Sequence, residues 1–172
     1  MRFFRTFQIL LLVAATSGCS AFKTEIRTGI AIEAPVERVW LALADFPAYP
    51  QWNPYHRQVC VRALELSCDV AQPLSWGTPV YVGVVKPDGE RIDLDIEITV
   101  FEPGRKLCWG GGISGIFEGQ HCFELVPHEG GTYLYHNEDF AGLALPFVPL
   151  KPELIEQGYK AMNVALKNRL ER

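Results

Sequence analysis

The chain has 172 residues, 48% of them hydrophobic and 21% charged, with a formal charge of −4 at pH 7. That length supports one domain with a sizeable core, and the composition carries no signature of disorder. A mildly acidic chain with no basic patch is a poor partner for nucleic acid, whose binding rests on phosphate neutralisation.

In chain order, Arg2 and Arg5 precede an apolar run from Ile9 to Ala15, and small residues then lead to Gly18 and Cys19. This is the order of an export signal, and it falls short of the roughly 20 apolar residues of a spanning helix. The stretch LVAATSGCS resembles the lipobox of bacterial lipoproteins, although Thr16 stands where leucine is usual. The resemblance implies a signal over residues 1–18, a lipid on Cys19 and, with Ser20 next, a place on the periplasmic face of the outer membrane. A plain secretory signal cut nearby is the alternative. Residues 19–25 then read as a tether.

Residues 26–34 alternate around Ile30 and Ile32 and read as a strand. Pro35 suits a first helical turn, and Val36, Val39, Trp40 and Leu43 follow at helical spacing. The helix should stop at Phe46, because a residue before proline resists the α region. The segment DFPAYPQWNPY (Asp45 to Tyr55) is too broken for a strand and too apolar for an ordinary solvated loop. Strands are predicted at about 57–63 and 80–85, joined by a connection with no clear period. RIDLDIEITVF alternates most cleanly, with Ile92, Leu94, Ile96, Ile98 and Val100 on one face. A strand at 106–110, a flexible GGISG connection and a strand at 116–126 follow, the last with Phe117, His121, Phe123 and Leu125 on one face. PHEGG turns the chain into a final strand at 132–140, and the apolar loop AGLALPFVPL leads to a helix over 151–172. Its stripe is Ile155, Met162, Ala165 and Leu166, with Tyr159 on one flank.

One-sided antiparallel strands must bury their apolar face, and the terminal helix is the obvious cover. The predicted fold is therefore α+β: a curved antiparallel sheet of about seven strands wrapped on a long C-terminal helix, with two short helices after the first strand. A strongly curved sheet on one helix does not close to native density everywhere, so a cavity between them is expected. If Cys19 carries lipid, Cys60, Cys68, Cys108 and Cys122 remain, an even number that suggests disulfides in an exported chain. Cys108 and Cys122 lie symmetrically about Gly115, so Cys108–Cys122 with Cys60–Cys68 is the expected pairing; four free buried thiols are the alternative.

The stretches IEAPVERVWLALADFPAYPQWNPY, FEPGRKLCW, HCFELVPHEGGTYLYHNEDFAG and MNVALKNRLE, within residues 25–172, resemble the helix-grip fold of the START/Bet v 1-like (SRPBCC) superfamily. The nearest likeness is to its polyketide cyclase/dehydrase and lipid-transport-like group. The long, cysteine-pinned connection at 64–79 and the export signal depart from that group's pattern. The resemblance implies one ligand-binding domain over 26–172, with the proline-and-ring segment crossing one mouth of the cavity. Trp52 and Tyr55 would then form wall or lid, unless Trp52 merely plugs the core.

A two-residue turn at Glu129 and Gly130 would set Leu125 across from Leu134, Phe123 across from His136 and His121 across from Glu138, all inward. A slip of one residue would bring Tyr135 and Asn137 inward instead. His121 and Glu138 are the candidate acid–base pair if the protein is an enzyme; otherwise they form one satisfied hydrogen bond in the core. The remaining candidate ligand contacts are Trp76, Tyr81, Trp109, Phe117, Phe140, Phe147, Tyr159 and Met162, with Phe147 as a gate member. No Walker, Rossmann or GxSxG pattern and no metal-ligand spacing is present, so no cofactor and no metal are expected. The expected function is binding or carriage of a small hydrophobic or amphipathic molecule at the cell envelope, with membrane attachment through Cys19. A cyclase or dehydratase, or a protein-interaction module with a collapsed pocket, is the alternative.

Overall fold

A computed structural model describes residues 22–62, 68–69 and 73–172. The segment expected to be an export signal, residues 1–18, and Cys19 lie outside these residues. The elements are β1 (Phe22–Ile32), α1 (Val36–Ala44), α2 (Tyr49–Trp52), β2 (His56–Arg62), β3 (Cys68–Asp69), β4 (Pro79–Val85), β5 (Arg91–Glu102), β6 (Lys106–Ile113), β7 (Phe117–His128), β8 (Gly131–Gly142) and α3 (Pro152–Leu170), with short 3₁₀ turns at Phe46–Ala48 and Leu145–Phe147. The sheet order is β1-β8-β7-β6-β5-β4-β2-β3, antiparallel throughout. Seven strands are full length, and β3 adds a two-residue stub. The helix-grip architecture is the one expected.

Each strand turns one set of alternate residues toward α3. Ile26, Thr28 and Ile32 of β1, Val80, Val82 and Val84 of β4, and His121, Phe123 and Leu125 of β7 are buried. Helix α3 contributes Ile155, Tyr159, Met162, Leu166 and Leu170, and packs on β1, α1 and α2. Arg38 donates to the Leu170 carbonyl at 3.1 Å, and the Glu33 N–H donates to Glu171 at 2.7 Å, tying the start of the first helix to the end of the last.

Three features differ from expectation. Residues 22–25 are rungs of β1 paired with β8, not tether, because the last four residues of β8 offer them a ladder. Gly111, Gly112 and Ile113 are strand, not a flexible connection: Gly111 pairs with Gly119 in the β6–β7 ladder. The β5 alternation breaks at a bulge between Ile98 and Val100, where Thr99 is the extra residue. Phe101, not Val100, therefore packs on the core, 5.6 Å from the Trp40 ring. Both expected disulfides are present: Cys108–Cys122 joins directly paired residues of β6 and β7, and Cys60–Cys68 joins β2 to the stub.

Candidate functional site

The proline-and-ring segment is a positioning device. Pro47 and Pro50 fall in the first turns of the two short helices, where a missing N–H costs nothing. Asn53, fully buried, caps the end of α2 and its Oδ1 accepts from the N–H groups of Tyr55 and His56, each at 2.9 Å. This turn delivers Tyr55 and His56 to the interior. A bulge between His56 and Gln58 then places His56 on the same buried face as Val59 and Val61. The Tyr55 ring lies flat against Gly158 of α3, where a Cβ would come within 2.1 Å of it.

Between the sheet and α3 is a cavity of about 480 Å³. Its walls are mainly apolar, with Val82, Val84, Ile92, Ile96, Phe117 and Phe140 from the sheet and Ile155 from α3. Gly111 and Gly119 face each other in the ladder and contribute no side chain, which leaves room in the wall. Tyr55, His56, Trp109, His121, Glu138 and Tyr159 close the cavity with polar or aromatic groups. The segment Val148–Lys151 and the β4–β5 turn border it, and Lys151 ties the two by donating to Asp88 at 3.2 Å.

Behind this wall runs a directed hydrogen-bond chain. His121 and His136 meet Nε2 to Nε2 at 2.7 Å, and His136 Nδ1 lies 2.7 Å from Asn163 Oδ1. Asn163 Nδ2 donates to Thr28 Oγ1 at 3.1 Å, and that hydroxyl donates to the His136 carbonyl at 2.8 Å. The Asn163 amide is thereby oriented with its oxygen toward His136. His136 must donate from Nδ1, so its neutral ring accepts at Nε2. His121 then donates from Nε2 and is left with a lone pair on Nδ1. That atom is buried and has no partner within the described residues. The rings are held by stacking, Trp109 on His121 with centroids 4.5 Å apart and Tyr159 on His136 at 4.0 Å.

The electrostatics keep every member neutral. Burial, reinforced by neighbouring imidazoles, holds His56 and His121 well below the usual histidine range. Burial brings His136 down to about 3, against the opposing pull of its Asn163 bond. The Glu138 carboxyl is pushed up to about 8 by burial, although the hydrogen bond from the Tyr159 hydroxyl to Oε2 lowers it. At neutral pH Glu138 therefore carries its proton. His121 and Glu138 are directly paired across β7 and β8, so a neutral base and a neutral acid flank the same cavity.

The β7–β8 register is the one the hairpin turn implies, with Phe123 opposite His136. Of the residues singled out from the sequence, Tyr55, Trp109, Phe117, His121, Glu138, Phe140 and Tyr159 line the cavity. Phe123, His136 and Met162 are buried in the core and do not line it. The other four stand elsewhere. Trp52 packs edge-on against Tyr49 with centroids 5.1 Å apart, filling the core between the short helices. Tyr81 is on the outer face, since Val80 and Val82 take the inner positions of β4; its hydroxyl donates to Asp93 at 2.7 Å and Arg62 stacks on its ring. Trp76, in the turn before β4, is 76% exposed, and Phe147 is 85% exposed with its neighbour Leu145 buried instead. His56, Asn53, Thr28 and Asn163 escaped the sequence reading. Thr28 and Asn163 were detectable as polar residues at positions the periodicity assigns to the core.

A curved antiparallel sheet gripping one long helix around a walled hollow defines the helix-grip fold. The chain belongs to the polyketide cyclase / dehydrase and lipid transport family, whose model matches residues 23–171. Similar solved structures include the Zhui aromatase/cyclase from Streptomyces sp. R1128, at 18% identity and TM-score 0.64 over 88% of this chain and 95% of that one. A START superfamily protein from Mycobacterium smegmatis aligns at 17% identity and TM-score 0.59 over 86% of this chain and 97% of that one. The protein CV1439 from Chromobacterium violaceum aligns at 17% identity and TM-score 0.60 over 86% and 98% of the respective chains. These likenesses establish the fold. No curated protein matches the sequence.

Proposed function

We propose that the protein binds and carries a small, mainly apolar molecule bearing a hydroxyl group, and that it does so at the cell envelope, attached through a lipid on Cys19. The observation that carries the reading is the open cavity of about 480 Å³ with apolar walls and a few polar groups. Burial of the ligand's apolar surface supplies affinity, and the polar groups fix orientation. His121 Nδ1 is a buried lone-pair acceptor that nothing in the described chain satisfies, so a ligand hydroxyl that displaces the side chains covering it gains a hydrogen bond there. The protonated Glu138 offers a donor to a ligand carbonyl. The lipobox-like stretch supports the location, and the mass of the N-terminal peptide from cell-derived protein tests it.

Calorimetry with 1-naphthol and 1-methoxynaphthalene tests the binding reading. Both should bind, with the naphthol tighter by about tenfold, the scale of one buried hydrogen bond. Failure of both to bind contradicts it.

The paired neutral acid and base favour a second reading, a dehydratase or cyclase. His121 Nδ1 would take a proton from carbon beside a carbonyl while Glu138 gives its proton to a departing hydroxyl. The C–H and C–O bonds break, a C=C bond forms and water leaves. Under that reading Glu138→Gln keeps ligand affinity and abolishes turnover of a β-hydroxy ketone.

A further inference from the structure

Five large apolar side chains left on the surface gather at one end of the sheet: Phe22, Ile113, Ile116, Leu143 and Phe147. Three segments are joined there. Phe22 pairs with Gly142 at the last rung of β1 and β8. The Leu143 N–H donates to the Gly115 carbonyl at 3.1 Å, and the Ala144 N–H to the Ile116 carbonyl at 2.8 Å, which fastens the exit of β8 to the β6–β7 turn. Leu145 is buried and anchors the 3₁₀ turn that presents Phe147 to solvent. A contiguous exposed apolar rim of this kind is an interaction surface, since scattered single side chains are the norm elsewhere.

The sequence before Phe22 indicates what covers it. Those residues hold the charged and apolar export signal and Cys19. Two residues, Ser20 and Ala21, lie between Cys19 and Phe22, so the three chain steps reach at most about 11 Å. A lipid on Cys19 would therefore bring this end of the domain, and no other, against the bilayer. The cavity lies beside the same end: Val148, Pro149 and Leu150, directly after Phe147, line it together with Phe117, which follows Ile116.

We propose that this rim is a membrane-docking surface, with Phe147 inserted among the lipid headgroups and the cavity entrance turned toward the bilayer. A mainly apolar ligand then passes between membrane and cavity without crossing open water. The proposal rests on the envelope reading for the direction of approach, and on the rim itself for the contact.

The test uses the full chain as cells produce it, reconstituted on vesicles of phosphatidylethanolamine and phosphatidylglycerol, with part of the lipid brominated on its acyl chains. Phe147→Trp reports from the rim, and Val126→Trp, next to the β7–β8 turn at the opposite end of the sheet, is the control. Bromolipid should quench the added tryptophan of F147W several-fold more than that of V126W. Combining Phe147→Ser with Leu143→Ser should lower partition of any unlipidated protein by about tenfold, the scale of two lost apolar side chains. Equal quenching of the two reporters overturns the docking proposal even where mass spectrometry finds Cys19 lipidated. Rim-specific quenching with Cys19 unlipidated upholds docking and discards the anchor. A dimer abolished by Phe147→Ser, without quenching, overturns the proposal in favour of a second copy.

Discussion

His121 and His136 share an Nε2–Nε2 contact of 2.7 Å, and Asn163, at 2.7 Å from His136 Nδ1, decides which of the two donates. The consequence reaches the cavity. A helix residue that does not line the cavity fixes the tautomer of a histidine that does, and turns its remaining nitrogen into an acceptor.

Asn163→Leu should therefore act twice. It leaves the buried Nδ1–H of His136 unsatisfied, a loss of about 1–3 kcal/mol measurable as a lowered urea midpoint. It also frees both imidazoles to change tautomer. The preference for 1-naphthol over its methyl ether should shrink, a result that a merely structural role for Asn163 does not produce.

The buried titratable groups set a stability profile. Unfolded histidine titrates near 6.5, whereas the folded imidazoles lie below it, His136 at about 3. Unfolding takes up protons in that window, so stability is lost as pH falls below about 6.5. Glu138 acts in the opposite sense. Its folded carboxyl titrates at about 8 against an ordinary value of 4.5. Its contribution is complete below the ordinary value and is lost as pH rises through the folded one. Three imidazoles outweigh one carboxyl on the acid side, so the urea midpoint should peak near about pH 7 and fall on both sides. Glu138→Gln should remove the fall between about pH 7 and 8 and leave the acid limb, together with the loss above about pH 10 that the buried tyrosines cause.

Cavity size is set by absent side chains. Gly111 lines the cavity, and a Cβ there would sit 3.2 Å from the Ile96 side chain, close but within reach of a small adjustment. Gly111→Val should keep the fold, with little change in Tm, and weaken 1-naphthol by about tenfold or more through lost volume. Equal binding by the variant would place the ligand elsewhere.

The Cys108–Cys122 bridge, spanning 14 residues, ties two central strands. Its removal by Cys108→Ala with Cys122→Ala should lower stability by about 3 kcal/mol in urea unfolding. Both disulfides fit an oxidising compartment.

The sequence made the sheet legible where alternation runs unbroken. The turn at Glu129 and Gly130 fixed the β7–β8 register, and with it the pairing of His121 with Glu138, from turn chemistry alone. Alternation misled where a bulge intervened. Counted evenly, His56 falls on the face opposite Val59 and Val61; the extra residue before Gln58 returns it to the interior. The same cause moved Phe101 inward in place of Val100. Asn163 was passed over for a different reason: its place beside Met162 on the stripe of α3 marks a core position, but only the partners His136 and Thr28, distant in sequence, show what its amide does there. Phe147 and Trp76 show the converse. Aromatic character alone predicted burial, while chain geometry left both in solvent.

Native mass spectrometry of the purified full chain tests the central claim most directly. The carrier reading predicts a non-covalent adduct of lipid-like mass that Gly111→Val sheds and 1-naphthol displaces. A bare protein mass, with no binding of added 1-naphthol, would contradict it.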